Sequence, residues 1–547
     1  MKLFHAPILS MSLLMLCLLS GLATPTAYAE FTFGTPVSLG PTVNTGAGNY
    51  RPCVSPDGLE LYFNRDDGEI YVARRETPEG EWTTPVKLGP TINSPSYDVE
   101  PCLSADGLSL YFTSDRPGTL GNFDLWVTTR ATVNDDWGTP INLGAPVNSA
   151  REDGGASISA DGLELYFNSS NRPGGYGSRD LWVTTRATVN DNWGTPVNLG
   201  PAIHTSHSEA GPTISPDGLV LFFSSSTGTM DSWEIYMTRR ATRKDAWGPR
   251  INLGPPVNSA TWELGAEVSH DGSMFYWDSP RLGAFSGCDI WQAPIIPIVD
   301  FNGDGKVDGK DVLCMVAHWG TSDPLCDIGP FAWGDGTVGL EDLTVLAGYL
   351  GKEVTDPTLT AHWTLDETRD CTAHESISGC GDVILGNPLW RHEGGQVGDA
   401  LQLDGVGDCI ATHFVLNPAE GPFSVLAWIK GGAPGRVVIS EPGYANWLIV
   451  GAEGKLMTEL MSPSRDGIAL QSQTIITDGQ WHRIGLVWDG SRRSLYVDGV
   501  VAAEDTQSAL PSSGNGLYIG TGKNMEAGTF WSGLIDDVRI YSRAVRP

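Results

Sequence analysis

From residue 31 to about residue 296, apolar and polar positions alternate in short runs that end at turns. Alternation at period two sets one face of a strand against a core. Five tetrapeptides, Ser55–Gly58, Ser104–Gly107, Ser159–Gly162, Ser215–Gly218 and Ser269–Gly272, carry the pattern Ser-x-Asp-Gly, and each precedes an apolar run such as Leu59–Phe63, Leu163–Phe167 or Met274–Trp277. Asp-Gly before such a run predicts a hairpin, because Gly takes the positive φ that the turn needs. The turn aspartates 57, 106, 161, 217 and 271 are spaced 49, 55, 56 and 54 apart. A second strand follows in each unit, at Ile70–Val72, Leu125–Val127, Leu181–Val183, Ile235–Met237 and Ile290–Trp291. A third element begins at Trp82, Trp137, Trp193 or Trp247, and an unpaired copy of it, Thr35–Gly40, precedes the first unit.

Strands recurring at this interval predict the blades of a five-bladed β-propeller, with the stray N-terminal strand completing the last blade. The units resemble TolB-type, WD-like propeller repeats, and the resemblance implies a fold rather than an activity. Two polar positions recur in register. Asn49, Asp98, Asp153, Glu209 and Glu263 stand eight residues before the turn aspartates, and Glu69, Asp124, Asp180, Glu234 and Asp289 open the second strands. Either set stabilises turns within its own blade, or the first rings a mouth of the central channel and binds a cation or sugar. Five-bladed arabinanase-like glycosidases place a carboxylate pair at such a mouth. Here the acids repeat almost identically, which favours structure over catalysis. Arg116 and Arg172, each followed by Pro-Gly, occupy matching loops. Cys53 and Cys102 stand at equivalent positions in adjacent blades, as a bridge or as two buried thiols.

The pattern then changes. Asp300, Asn302, Asp304, Asp308 and Asp311 supply oxygens at loop positions 1, 3, 5, 9 and 12, with Gly305 at position 6. Lys306 would ligate through its carbonyl and Val307 pack inward. This is hard-cation spacing, and Ca2+ is the expected ion. Asp at position 12 and the helix that follows it resemble half of a dockerin. Residues 334–350 look like a second half, with Phe331 and Trp333 where ligands 1 and 3 belong, Gly339 at position 9, and Asp327 reaching in only if the loop is bulged. The resemblance implies a cohesin-like protein partner or a structural calcium clip. Cys314 and Cys326 flank the linker between the halves as candidates for a bridge.

Beyond a Pro-containing linker at 353–357, alternating strands with Gly/Asp turns predict an antiparallel sandwich over residues 358–547. Trp363–Glu367, Leu403–Gly405, Phe423–Trp428, Gly479–His482, Leu495–Gly499 and Gly533–Tyr541 resemble the laminin-G-like, concanavalin-A-like jelly roll. That resemblance implies glycan or protein binding, frequently with calcium. Asp366, Asp404 and Asp537 are the candidate metal ligands, and Trp390, Trp447 and Trp531 are candidate sugar-stacking rings. Glu375–Gly379 departs from the family's Asp-Ser-Ser-Gly loop, and Cys371 and Cys380 enclose it as a candidate disulfide.

Composition narrows the function. Lys+Arg 34 against Asp+Glu 65 gives a net charge of -31, which repels phosphate backbones and argues against nucleic acid. An apolar run from Ile8 to Leu22 before Ala27-Tyr-Ala29 reads as a cleaved signal peptide, residues 1–29. The sequence thus divides into signal, propeller (30–296), dockerin-like module (297–353) and jelly roll (358–547). No later run is long enough to span a membrane. The expectation is a secreted or envelope-exterior, calcium-binding, multidomain protein that engages polysaccharide or cell-surface partners. A propeller-based glycoside-active enzyme and an assembly protein acting through the dockerin-like segment are the alternatives.

Overall fold

The structure is a computed structural model, and it describes residues 31–547 apart from 227, 229–232, 286, 355, 368–371, 420, 462–468 and 508. The expected signal segment and Cys371 lie outside the described residues. The protein is mainly β: among the described residues it has one five-stranded and four four-stranded sheets that form the blades, three short helices, and a sandwich of two eight-stranded sheets.

Each Ser-x-Asp-Gly turn closes by the same chemistry. In the first, Ser55 Oγ donates to Asp57 Oδ1 (2.6 Å), while the amides of Leu59 and Glu60 donate to Asp57 Oδ1 and Ser55 Oγ (3.0 and 2.8 Å). Gly58 holds φ at 73°, where a Cβ would be strained. A basic side chain caps the turn from outside. Arg130 Nε donates to the Gly107 carbonyl while its guanidinium stacks on Trp137 at 4.3 Å, and Arg75–Trp82, Arg186–Trp193 and Arg240–Trp247 repeat the stack. The arginine also reaches the previous blade's acid, as in Arg240–Glu164 at 2.8 Å and Arg130–Glu60 at 3.4 Å.

Asparagines glue blade to blade. Asn93 accepts from the Ile70 amide and donates to the Ile70 carbonyl (2.8 and 2.9 Å), and Asn148 and Asn258 do the same for Leu125 and Ile235. The N-terminal strands close the ring. Val37 and Ser38 pair with Gln292 and Trp291, and Phe31–Phe33 pair with the end of the last propeller strand, Asp289–Pro297.

Helices Gly309–Ala317 and Leu340–Ala347 form a small module around Phe301, Val307, Met315, Ile328, Val338 and Leu346. In the C-terminal sandwich, Ser532–Tyr541 lies between Phe423–Gly431 and Ala400–Asp404, and Leu359–Trp363 pairs with it. Its core gathers Trp363, Trp447, Trp488 and Trp531 with Leu, Ile and Val from both sheets. No helix among the described residues is long and apolar enough to cross a membrane.

The arginine stack is testable because it recurs. Arg130→Ala removes one charge-assisted cap and one cation–π contact, so denaturant unfolding of the propeller should lose about 2 kcal/mol. Arg130→Lys should recover only part, since an ammonium cannot both stack and cap.

Candidate functional site

The candidate cation loop, residues 300–311, is held by hydrogen bonds from its own backbone amides. Asp300 accepts from the amides of Gly303 and Asp304 through Oδ1 (2.8 and 3.2 Å) and of Gly305 through Oδ2 (2.8 Å). Asp311 accepts from Phe301 and Asp308 (2.8 and 2.9 Å), and the Asp304 amide donates to Asn302 Oδ1 (2.9 Å). Asp308 caps the helix through the Lys310 amide (2.7 Å), so positions 9 and 12 also form its capping box. Asp300 and Asp311 are buried; burial pushes Asp300 up to about 6 and raises Asp311, with the neighbouring carboxylates adding to both. Burial also works against Asp304, but Lys310 Nζ at 2.7 Å holds it below the usual carboxylate range. A hard divalent cation fits this donor set, because buried acids of like charge need neutralisation.

The second half differs from its expected alignment. Asp327, not Phe331, takes position 1, accepting from the amides of Asp335 and Gly336 (2.9 and 2.8 Å) as Asp300 does from its own loop. Asp342 matches Asp311, accepting from Ile328, Gly329 and Gly339 (2.6, 2.8 and 2.6 Å). The loop is longer between Asp327 and Asp335, and the extra length carries Phe331 and Trp333 away from the centre. They stack at 5.1 Å and enter the propeller, where Trp333 Nε1 donates to Asp217 (2.6 Å) and Arg239 donates to the Trp333 carbonyl (2.8 Å).

The first loop meets the other neighbour. Its Gly303 carbonyl accepts from Arg483 (2.8 Å), Tyr541 (2.9 Å) and Arg539 (3.4 Å), and the Asp300 carbonyl accepts from Arg543 (2.6 Å). The module is therefore a joint. One loop grips the jelly roll and the other grips the propeller.

The channel-mouth reading needs correction. Asn49, Asp98, Asp153, Glu209 and Glu263 are buried inside their blades. Asp98 accepts from Ser94 and Ser114 Oγ (2.8 and 2.6 Å) and pairs with Arg116; Asp153 and Glu263 pair likewise with Arg172 and Arg281, and Asn49 accepts from Arg65. The second set is bonded locally too, as Asp124 is by the Leu120 amide (2.7 Å). Residues two positions further on face the axis instead: Arg51, Glu100, Gly155, Gly211 and Gly265, all at positive φ. Arg51 and Glu100 hold a conformation that suits glycine, and they pair between the neighbouring first and second blades at 3.4 Å. Three glycines in register were the sequence signal for this layer.

Asp180, His204 and Glu209 form a buried trio beneath blades 3 and 4. His204 replaces the inter-blade Asn, and its Nε2 accepts from the Leu181 amide (2.8 Å). The neutral ring therefore keeps its proton on Nδ1, facing Asp180 at 3.9 Å, which leaves no lone pair there for a metal. Burial pushes the ring's pKa down, in keeping with the neutral form. Cys314 and Cys326 stand as thiols 3.9 Å apart, and Cys53 Sγ accepts from the Leu103 amide beside Cys102.

The jelly-roll candidates do not converge as expected. Asp404 caps a surface turn through Val406 (2.7 Å), and Asp537 is held by His362 (2.8 Å) and Arg539 (2.9 Å). Asp366, which accepts from the Asp399 amide (2.7 Å), lies instead near Asp536, the residue that sequence reasoning missed. Asp536 is fully buried and pushed up to about 7 by burial and by Asp537 and Asp366; its Oδ1 has no partner among the described residues. Asp537 stands at φ 48° in a β-bulge, where strand alternation breaks, so counting along the strand did not tell its facing from that of Asp536. Gly395 and Gly398 let a loop approach closely: a Cβ there would meet Asp399 O, Asp536 and Asp366. Trp447 and Trp531 are core, and Trp390 packs half-buried against it.

The C-terminal domain has known relatives. Residues 404–547 match Laminin_G_3, the concanavalin A-like lectin/glucanases superfamily. No curated protein matches the chain. Among solved structures, a Trypanosoma rangeli sialidase is similar over 91% of this chain and 92% of its own, at 12% identity and a TM-score of 0.38. A putative TolB from Agrobacterium tumefaciens covers 47% of this chain and 80% of its own (17%, TM-score 0.31). Domain 4 of an extracellular GH43 arabinanase from Geobacillus stearothermophilus, solved with arabinotriose, covers 34% and 93% (22%, TM-score 0.27).

A second buried acid gives this domain a pH signature. Glu441 is fully buried with neither oxygen partnered among the described residues, and burial pushes it up to about 7. The folded state therefore holds a proton that the unfolded state releases near 4.5, so stability falls as pH rises through this interval and levels off above it. Glu441→Gln should raise jelly-roll stability by roughly 2 kcal/mol at pH 8 and change it little at pH 4, read by thermal melts.

Proposed function

We infer that this is an extracellular, calcium-dependent glycan-binding protein, in which the jelly roll is the lectin-like module and the dockerin-like segment a calcium-stiffened joint to the propeller. The observation that carries this reading is the joint itself. Its first loop turns acids inward and carbonyls outward to Arg483, Arg539, Tyr541 and Arg543, while Trp333 of the second is seated against Asp217. A module gripped on both sides suits a structural clip.

Calcium would be held by Asp300, Asn302, Asp304, Asp308 and Asp311 with the Lys306 carbonyl. Asp366 and Asp536, with the Asp399 carbonyl close by, are the corresponding oxygens in the jelly roll. The ion's contribution in each place is charge neutralisation, which converts mutual repulsion into folding energy. The lectin-like family match and the net charge of -31 favour a sugar over a phosphate-bearing partner.

A second reading draws on Leu313, Val316 and Leu340, which are exposed on the two helices, and on Trp319 just past the first, which together would suit a cohesin-like partner.

A glycan array read with calcium and with EDTA tests the main reading. Signals on a defined set of neutral glycans should disappear with chelator and with Asp536→Asn, while Asp300→Ala should lower the melting temperature in calcium. Chelator-insensitive signals on neutral glycans, or no glycan signal at all, would refute it. Capture of a cohesin module that Trp319→Ala abolishes would favour the second reading, and release of reducing sugar would move the protein to a glycoside-active class.

A further inference from the structure

The propeller has two faces. The Ser-x-Asp-Gly turns lie on the one that receives Trp333, leaving the opposite face, made by the loops that enter each blade and join its second and third strands, clear of the joint. On that open face a cleft of about 660 Å³ runs between blades 2, 3 and 4. Its size is within the range of small-molecule sites.

Its lining comes from positions that the blade does not dictate. The residue before each buried acid is Gly48, Tyr97, Glu152, Ser208 or Trp262, and the one before that is Ala47, Ser96, Arg151, His207 or Thr261. The residue before Glu69, Asp124, Asp180, Glu234 or Asp289 is Gly68, Phe123, Arg179, Trp233 or Cys288. Scaffold positions repeat while these vary. Arg151, Glu152, Arg179 and Trp233 are brought together in this one cleft.

The walls are preformed. A Cβ on Gly121 would meet the Arg151 carbonyl at 1.9 Å, and one on Gly177 the His207 carbonyl at 1.9 Å, so the loops of blades 2 and 3 sit directly on those entering blades 3 and 4. The Ser178 amide donates to the His207 carbonyl (3.0 Å) and Asp153 to the Phe123 carbonyl (2.9 Å). The side chains inside are less committed. Arg179 reaches Glu152 and Ser170 only at 3.4 and 3.3 Å, and Asn122 reaches Glu152 at 3.5 Å. Arg151 is exposed, and no ion pair to it occurs among the described residues.

We propose that this cleft binds an acidic sugar, a pyranose bearing a carboxylate, with Arg151 and Arg179 on the carboxylate and Trp233 against the ring. A guanidinium fork matches a carboxylate in plane, and an aromatic face suits the apolar side of a pyranose. Two arginines against one glutamate make the cleft locally positive on a protein of net charge -31. Ordinary salt screens that distant charge within about 8 Å, so one carboxylate on a short glycan is favoured over a long polyanion. The proposal rests on the glycan-binding reading only in its ligand class, and it concerns a different domain from the jelly-roll site.

The test titrates the full chain in calcium with trigalacturonate, glucuronate-terminated oligosaccharide and sialyllactose, each beside its carboxyl-reduced neutral analogue, by calorimetry. At least one acidic probe should bind, with its neutral analogue at least 10-fold weaker. Arg151→Ala and Trp233→Ala should each weaken that binding at least 10-fold, and Asp536→Asn should leave it unchanged. Failure of every acidic probe, equal binding of the neutral analogue, or indifference to both propeller variants would overturn the assignment. Loss with Asp536→Asn alone would place the binding in the jelly roll and overturn it equally.

Discussion

Buried like charge is the constraint on which the architecture turns. Asp300 and Asp311 are taken out of water inside a loop whose backbone carbonyls are at the same time the grip on the jelly roll. The loop's inner electrostatics and its outer docking cannot be separated: whatever relaxes the carboxylates also moves Gly303. The second loop lacks an acid at position 9, where Gly339 stands, and its lengthened segment is used for a different purpose, to seat Trp333 on the propeller. Two loops with similar hydrogen bonding thereby take on two attachments.

The propeller solves a different problem, that of closing a ring of repeats. Its answer is redundancy. Serine–aspartate turns, arginine stacks and asparagine clamps recur from blade to blade, so the turn serines, the capping arginines and the clamp asparagines find partners within their own or the adjoining blade. Redundancy also explains why Asn49 and the four acids in register with it are structural: a position that every blade needs for its own hydrogen bonds is not available to a ligand. Freedom lies at the positions beside them, and there the side chains differ.

Much of this was legible in the sequence. The Asp-Gly turns, their spacing and the stray N-terminal strand were enough for five blades and their closure, because those signals are local. The facing of side chains was not. Counting from a turn finds Asp98 and Glu100 equally well, but only the folded ring shows that Glu100 reaches the axis while Asp98 is clamped by Arg116. A break in the strand's alternation lies behind both cases, with Glu100 and Asp537 each in the left-handed region at a register shift. Trp333 read as a spoiled ligand position because its role depends on Asp217, 116 residues away in the chain, and no local pattern announces such a contact.

The joint is most directly probed by small-angle scattering of the full chain at pH 8, in millimolar calcium and then in EDTA. A calcium-stiffened joint predicts one compact profile in calcium and a larger radius of gyration with a flexible signature in EDTA, reversed when calcium is restored. Superimposable profiles in the two buffers would contradict the account.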